Sequence, residues 1–178
     1  EDPVFTTLPR LVNIPESNVY GAEVDLDVIL TEALSGRFSV AYTESEVEGY
    51  TGFRRRGQRD DFTGDEFPYT PELQLSSFLR YERSIADGYS VASSLSVSYQ
   101  SDSSSTIGRE EGFDIKSYTL INLEVTLLPD TADWSVSLYG KNLGDKYYWT
   151  SVDVQTDAVY RLPGMPRQYG VRFTKEFE

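Results

Sequence analysis

Arg54, Arg55, Arg56 and Arg59 crowd one short stretch of this chain, and Asp60, Asp61, Asp65 and Glu66 follow directly. Guanidinium groups so spaced can grip an anion through paired N–H bonds. They can equally be neutralised by the carboxylates that follow. Tyr147, Tyr148 and Trp149 form a second cluster. It can stack on a ring or a sugar, or sit where an apolar surface meets water. Asp153 and Asp157 offer carboxylates to a cation, but the spacing of a calcium-binding hand is missing.

The residues that are lacking narrow the chemistry further. There is no histidine and no cysteine. Ser-His-Asp and Cys-His catalysis, imidazole or thiolate metal sites and a disulfide framework are therefore ruled out within the chain. No pair of carboxylates is spaced to favour acid–base hydrolysis. The expectation is no catalytic residue, no metal, no cofactor and no enzyme. A net charge of −13 argues against a nucleic-acid partner, whose phosphates demand a basic surface.

The elements that carry these clusters follow period 2. In Val19 to Leu30 the residues Ala22, Val24, Leu26, Val28 and Leu30 share one face, and Glu23, Asp25 and Asp27 share the other. Phe38, Val40 and Tyr42 alternate with Arg37, Ser39 and Ala41. Leu73, Leu75, Leu79, Tyr81 and Ile85 oppose Gln74, Ser76, Arg80 and Glu82. Tyr89, Val91, Leu95, Val97 and Tyr99 oppose a face rich in serine. Ile121, Leu123, Val125 and Leu127 continue the pattern, as do Trp134, Val136 and Leu138. Tyr169, Val171, Phe173 and Phe177 end it. That predicts seven strands, with the end of an eighth around Val4 to Leu8, and no helix.

The connections alternate in length. Thr31–Gly36, Asp87–Gly88 and Pro129–Asp133 are short; Glu44–Tyr69, Ser101–Lys116 and Asp145–Pro166 are long and read as loops. In an antiparallel meander, alternate connections lie at opposite ends, so one end carries tight turns and the other large loops. The polar parity is mostly small and uncharged. Aromatic residues gather at the apolar ends: Trp134, Phe38 and Phe177 near the short turns, Tyr42, Tyr81, Tyr99 and Tyr169 nearer the long loops. Together these features predict an all-β, antiparallel transmembrane β-barrel meander whose apolar face meets lipid. A soluble lipocalin-type barrel, with that face turned inward, is the competing arrangement. No apolar run approaches the length of a membrane-crossing helix, which leaves barrel strands untouched.

Four segments carry a resemblance. Asn142-Leu143-Gly144-Asp145-Lys146-Tyr147-Tyr148 resembles the N-L-x-D-x-x-Y segment near the end of TonB-dependent outer-membrane receptors. Pro163 to Val171 resembles the G-x-P-R-x-Y-G approach to that family's last strand. Phe67-Pro68-Tyr69-Thr70-Pro71 and Asn18 to Val24 look like strand openings further upstream, in the expected order. Glu178 departs from the pattern, since the family usually stops on the aromatic residue, here Phe177.

The resemblance implies residues 1–178 as the C-terminal part of a receptor barrel of about 22 strands, a partial barrel without its plug domain. It implies a bacterial outer-membrane location, and active uptake of a scarce nutrient, most often a ferric siderophore. Its implied partners are outer-membrane lipid and lipopolysaccharide, the nutrient, and the TonB complex through the missing N-terminal region. Arg54, Arg55, Arg56, Arg59, Tyr147, Tyr148 and Trp149 would then lie in extracellular loops as candidate ligand contacts, with lipopolysaccharide phosphates as another anion for the arginines. The alternative of a different class is a stand-alone eight-stranded outer-membrane barrel with a structural or adhesive role. Against closure, Pro3, Pro9 and Pro15 break the first segment, which makes it a poor partner for the last strand.

Overall fold

The computed structural model describes residues 13–54, 57–131, 133–155 and 158–177. The expected strand end at Val4 to Leu8, with Pro3 and Pro9, lies outside them, as do Arg55, Arg56, Asp157 and Glu178. No helix occurs among the described residues. In chain order the strands are β1 (Ser17–Ile29), β2 (Leu34–Val47), β3 (Thr51–Phe53), β4 (Arg59–Asp61), β5 (Leu73–Ala86), β6 (Tyr89–Gln100) and β7 (Ser103–Ser104). Then come β8 (Asp114–Ile115), β9 (Tyr118–Pro129), β10 (Trp134–Lys141), β11 (Trp149–Gln155), β12 (Ala158–Pro163) and β13 (Gln168–Lys175).

The seven long strands form one antiparallel sheet in the order β1-β2-β5-β6-β9-β10-β13. Each strand neighbours the next long strand in sequence, as the alternating connections require. Five of them run 12–14 residues, enough for a tilted crossing of a bilayer, and β10 and β13 have eight each. The short turns are tied locally. Thr31 Oγ1 accepts from the amides of Ala33 and Leu34, and Gly88 takes a φ of 83° to close the β5–β6 hairpin.

Register carries the parity across the sheet. Val24, Val40, Leu75 and Tyr99 lie side by side; so do Leu79, Leu95 and Leu123, and Val91, Leu127, Val136 and Phe173. On the other face run Asp25, Ser39, Ser76 and Ser98, then Ser94, Glu124, Tyr139 and Gly170. The apolar rows stay open: Val24 is 62% exposed and Phe173 65%. A continuous apolar face of this extent needs a non-aqueous neighbour, and lipid supplies it.

The alternation of residue types in β5 is interrupted at one place, although its parity is kept. Ser77 sits among Phe38 and Val97 on the apolar face, while Phe78 lies between Arg37 and Ser96 on the polar one. The strand keeps its pairing through this inversion, because register is set by the whole ladder and not by one residue. Tyr81 lies opposite Leu34, next to the β1–β2 turn. It therefore belongs to the short-turn end and not to the long-loop end. The long connections are also more ordered than expected: each holds a small hairpin, β3–β4, β7–β8 and β11–β12.

The packed core lies at the loop end. Among the described residues the buried hydrophobics are Val47, Phe62, Phe113, Ile115 and Val152, all in or beside the long connections. Within the long strands the buried polar residues are Ser45 and Ser137.

Candidate functional site

The connections 48–72, 101–117 and 142–167 interlock at one end of the sheet. Phe113 and Ile115 of the second connection form a core with Val152 of the third, and Trp149 and Val154 pack against it. The Tyr69 amide donates to Ser104 O at 2.7 Å, and its hydroxyl donates to Val152 O at 3.0 Å. That hydroxyl also lies 3.0 Å from Ser151 Oγ. Tyr69 holds this position with a φ of 59°, an uncommon backbone for a non-glycine residue. Arg161 Nη2 donates to Gly112 O at 2.7 Å, and Arg54 Nη1 to Gly108 O at 3.2 Å. Every pair of the three connections is thus tied by hydrogen bonds.

Three arginines of this end, Arg54, Arg109 and Arg167, are paired with carboxylates. Arg54 forms an ion pair with Asp60 and lies over the Phe62 ring at 5.6 Å. Arg109 reaches Asp102 at 2.7 Å and Glu66 at 2.8 Å. Hydrogen bonding to Arg109 holds the Asp102 carboxyl below its ordinary pKa. Partial burial pushes Asp65 up, with Arg54 opposing. Thr63 draws Asp61 down by donating to it.

The arginine cluster therefore divides. Arg54 takes the self-paired arrangement that its acidic neighbours allow. Arg59 stands exposed opposite Phe53, with no ion-pair partner among the described residues. The aromatic triplet also divides. Tyr147 is 71% exposed and meets the Trp149 ring edge-on at 4.8 Å. Tyr148 meets the Tyr118 ring at 4.3 Å with the two planes tilted by 35°. Trp149 is half-buried on the shared core, beneath the Arg161 guanidinium at 5.9 Å. Tyr69, Arg109 and Arg161 are the ties that sequence reasoning missed. Tyr69 and Arg161 have partners distant in sequence, and Arg109 adds to the nearby Asp102 a bond to Glu66, 43 residues away, so no local pattern marks these ties.

Asp153 accepts from the Tyr160 hydroxyl at 3.0 Å and from the Val154 amide. Glu44, Glu46, Glu66 and Glu72 line a groove of about 250 Å³ beside β2. Among the described residues no carboxylate group is arranged to hold a metal ion.

The polar face below the loops pairs its charges in place. Arg37 bonds Asp27 at 2.7 Å, Arg80 bonds Glu82 at 2.7 Å, and Arg172 bonds Glu124 at 2.8 Å. Arg172 also lies over Tyr139 at 5.4 Å. Ser39 donates to Asp25. The resulting wall is hydrophilic and mostly neutral, suited to water or to polar groups and not to chemistry.

The fold recurs in solved receptors. The ferric yersiniabactin uptake receptor of Yersinia pestis aligns with a TM-score of 0.75 at 16% identity, over 91% of this chain and 24% of that one. The siderophore receptor PiuA of Acinetobacter baumannii aligns at 0.68 and 18%, over 88% of this chain and 21% of that one. The ferric preacinetobactin receptor of the same organism gives 0.65 and 18%, over 88% and 22%. The chain thus spans less than a quarter of the length of these structures. No curated protein sequence matches it. The family model described as TonB dependent receptor-like, beta-barrel matches residues 1–143. With most of its length matched and its sheet, parity and loop asymmetry in agreement, the chain belongs to the TonB-dependent receptor β-barrel family of the Gram-negative outer membrane.

Proposed function

We propose that this chain is the C-terminal portion of a receptor barrel that imports a scarce nutrient, a ferric siderophore, across the outer membrane. The observation that carries the reading is the sheet's division of labour. One face is apolar and open to lipid, the other is polar and internally paired, and one end bears a packed rim of loops. The three solved receptors described above are siderophore receptors by name, which supports the substrate class. Energy would come from the inner-membrane proton gradient through TonB, engaged by a part of the protein outside this chain.

In that setting the rim meets ligand first. Arg59 and Tyr147 are the candidate contacts that the structure leaves exposed. Arg54 and Trp149 support them from below, Tyr148 shapes the lead-in to β13, and Arg55 and Arg56 belong to the same loop. Strands β1 and β13 are the outermost members of the sheet order and do not pair with each other among the described residues. Their free backbone groups cost several kcal/mol each in lipid unless further strands pair with them, which favours a larger barrel over an eight-stranded one.

Uptake of iron-55 as hydroxamate, catecholate and carboxylate chelates by cells with and without the gene tests the function. Loss of energy-dependent uptake of at least one chelate is expected; unchanged uptake of all three would sink the substrate class. The intact mass of the native protein tests the partial-barrel reading, with a value several times 20.1 kDa expected.

A further inference from the structure

The lipid face of the long strands carries few charges, and they are sorted by sign. On the parity of the apolar rows, the charged positions within those strands are Glu44 and Glu46 on β2, Arg83 on β5 and Lys175 on β13. Glu44 and Glu46 lie at the loop end, opposite Tyr20 and Asn18. Arg83 and Lys175 lie at the short-turn end, opposite Val91 and Trp134. Outer-membrane barrels turn their short connections to the periplasm, so both cations stand at the periplasmic leaflet.

Arg83 is bracketed by hydroxyl groups. Tyr81 lies two residues along the same face, and Tyr89 lies two residues from Val91, the residue opposite Arg83. Ser93, opposite Tyr81, adds a third hydroxyl to that face. Both tyrosine rings are exposed, and so is Arg83. Among the described residues the side chains of Arg83, Tyr81 and Tyr89 make no hydrogen bond, and Arg83 makes no ion pair. The other arginines of the long strands differ. Arg37, Arg80 and Arg172 stand on the polar face, each paired with a carboxylate.

A guanidinium on an apolar wall must reach polar surroundings, and its stem can lie along that wall as it does so. Its planar fork matches two oxygens of a phosphate, and neighbouring tyrosine hydroxyls can donate to the same group. No carboxylate of the long strands shares its face at this end, so none of them takes up the ammonium of a zwitterionic headgroup. We propose that Arg83, with Tyr81 and Tyr89, forms a headgroup site for a net-anionic glycerophospholipid of the periplasmic leaflet. The site lies on the outside of the barrel and is independent of what the receptor transports. The competing arrangement is an arginine that extends into periplasmic water and holds no lipid.

Full-length receptor carrying this chain is purified in a mild detergent and given phosphatidylglycerol or phosphatidylcholine at equal concentration. Retained lipid is counted by native mass spectrometry. Phosphatidylglycerol is expected to be retained in preference, and Arg83→Gln to lower its retention about fivefold, the scale of one basic residue at an anionic membrane surface. Arg83→Lys should recover part of that loss, since it keeps the charge without the fork. Arg80→Gln, on the polar face of the same strand, should change nothing. Equal retention by wild type and Arg83→Gln overturns the site. So does an equal loss in Arg80→Gln, which would mark a diffuse effect of charge. Equal retention of the two lipids overturns the anionic headgroup, and displacement by excess glycerol 3-phosphate overturns lipid as the source of the phosphate. Lipopolysaccharide lost in place of phosphatidylglycerol would put Arg83 at the other leaflet and also overturns it. Should Arg83→Gln not fold, the wild type decides. Phosphatidylglycerol with a photoreactive group beside its headgroup should crosslink within 79–93, and no crosslink there overturns the proposal.

Discussion

The hydroxyl of Tyr69 donates to the main-chain carbonyl of Val152 at 3.0 Å, across 83 residues of sequence. That bond joins the connection 48–72 to 142–167, while the amide of the same residue joins it to 101–117 through Ser104. Tyr69 thus makes the rim one folded body. Tyr69→Phe keeps the ring and removes the hydroxyl bond, at a cost of about 1 kcal/mol. Hydrogen exchange of the full-length receptor should rise in all three connections together. A rise confined to the first connection would show that the loops open independently.

The strands were legible because lipid and water impose a two-residue period on every strand of the barrel. The pattern survives even the inversion at Ser77 and Phe78, where neighbouring rows fix the register. The rim was less legible. Its core residues Phe113, Ile115 and Val152 are isolated apolar positions in polar stretches, and their meeting depends on the sheet bringing the connections to one end. Arg54 could be anticipated because its partner Asp60 is six residues away. Arg161 could not, because Gly112 is 49 residues away.

Acid should loosen the rim at a definite point. Asp102 has its pKa lowered in the folded state by Arg109. A carboxylate lowered on folding contributes stability that is fully present above its unfolded pKa of about 4 and is lost as pH falls through the lower folded value. The contribution is small, since both side chains are substantially exposed. Exchange of amides in 101–117 should therefore quicken below about pH 4, and Asp102→Asn should flatten that response. An unchanged response in the variant would assign acid sensitivity to another group.

Gly164 is occupied territory. A Cβ built there would run into the ring of Tyr148, which meets the Tyr118 ring. Because the obstacle is a ring that also contacts Tyr118, relief requires that ring pair to shift. Gly164→Ala should cost about 1–3 kcal/mol, the usual range for overpacking. Urea unfolding of the refolded receptor measures it. The double variant Gly164→Ala with Tyr148→Ala should recover part of the loss, because the second change removes the obstacle.

Adjacent residues on β6 offer the sharpest test of which face meets lipid. Leu95 lies in the apolar row between Leu79 and Leu123, near mid-strand, while Ser94 lies on the opposite face between Arg80 and Glu124. An arginine at the lipid-facing position must bring its charge into hydrocarbon, at a cost of about 2–4 kcal/mol near the midplane. The same arginine at Ser94 enters a polar wall that already accommodates an Arg172–Glu124 pair. Leu95→Arg should therefore destabilise the barrel in phospholipid vesicles by that amount, and Ser94→Arg by less than half of it. Reversal of the two would mean that the apolar rows face inward, as in a soluble barrel, and the membrane orientation of this sheet would have to be abandoned.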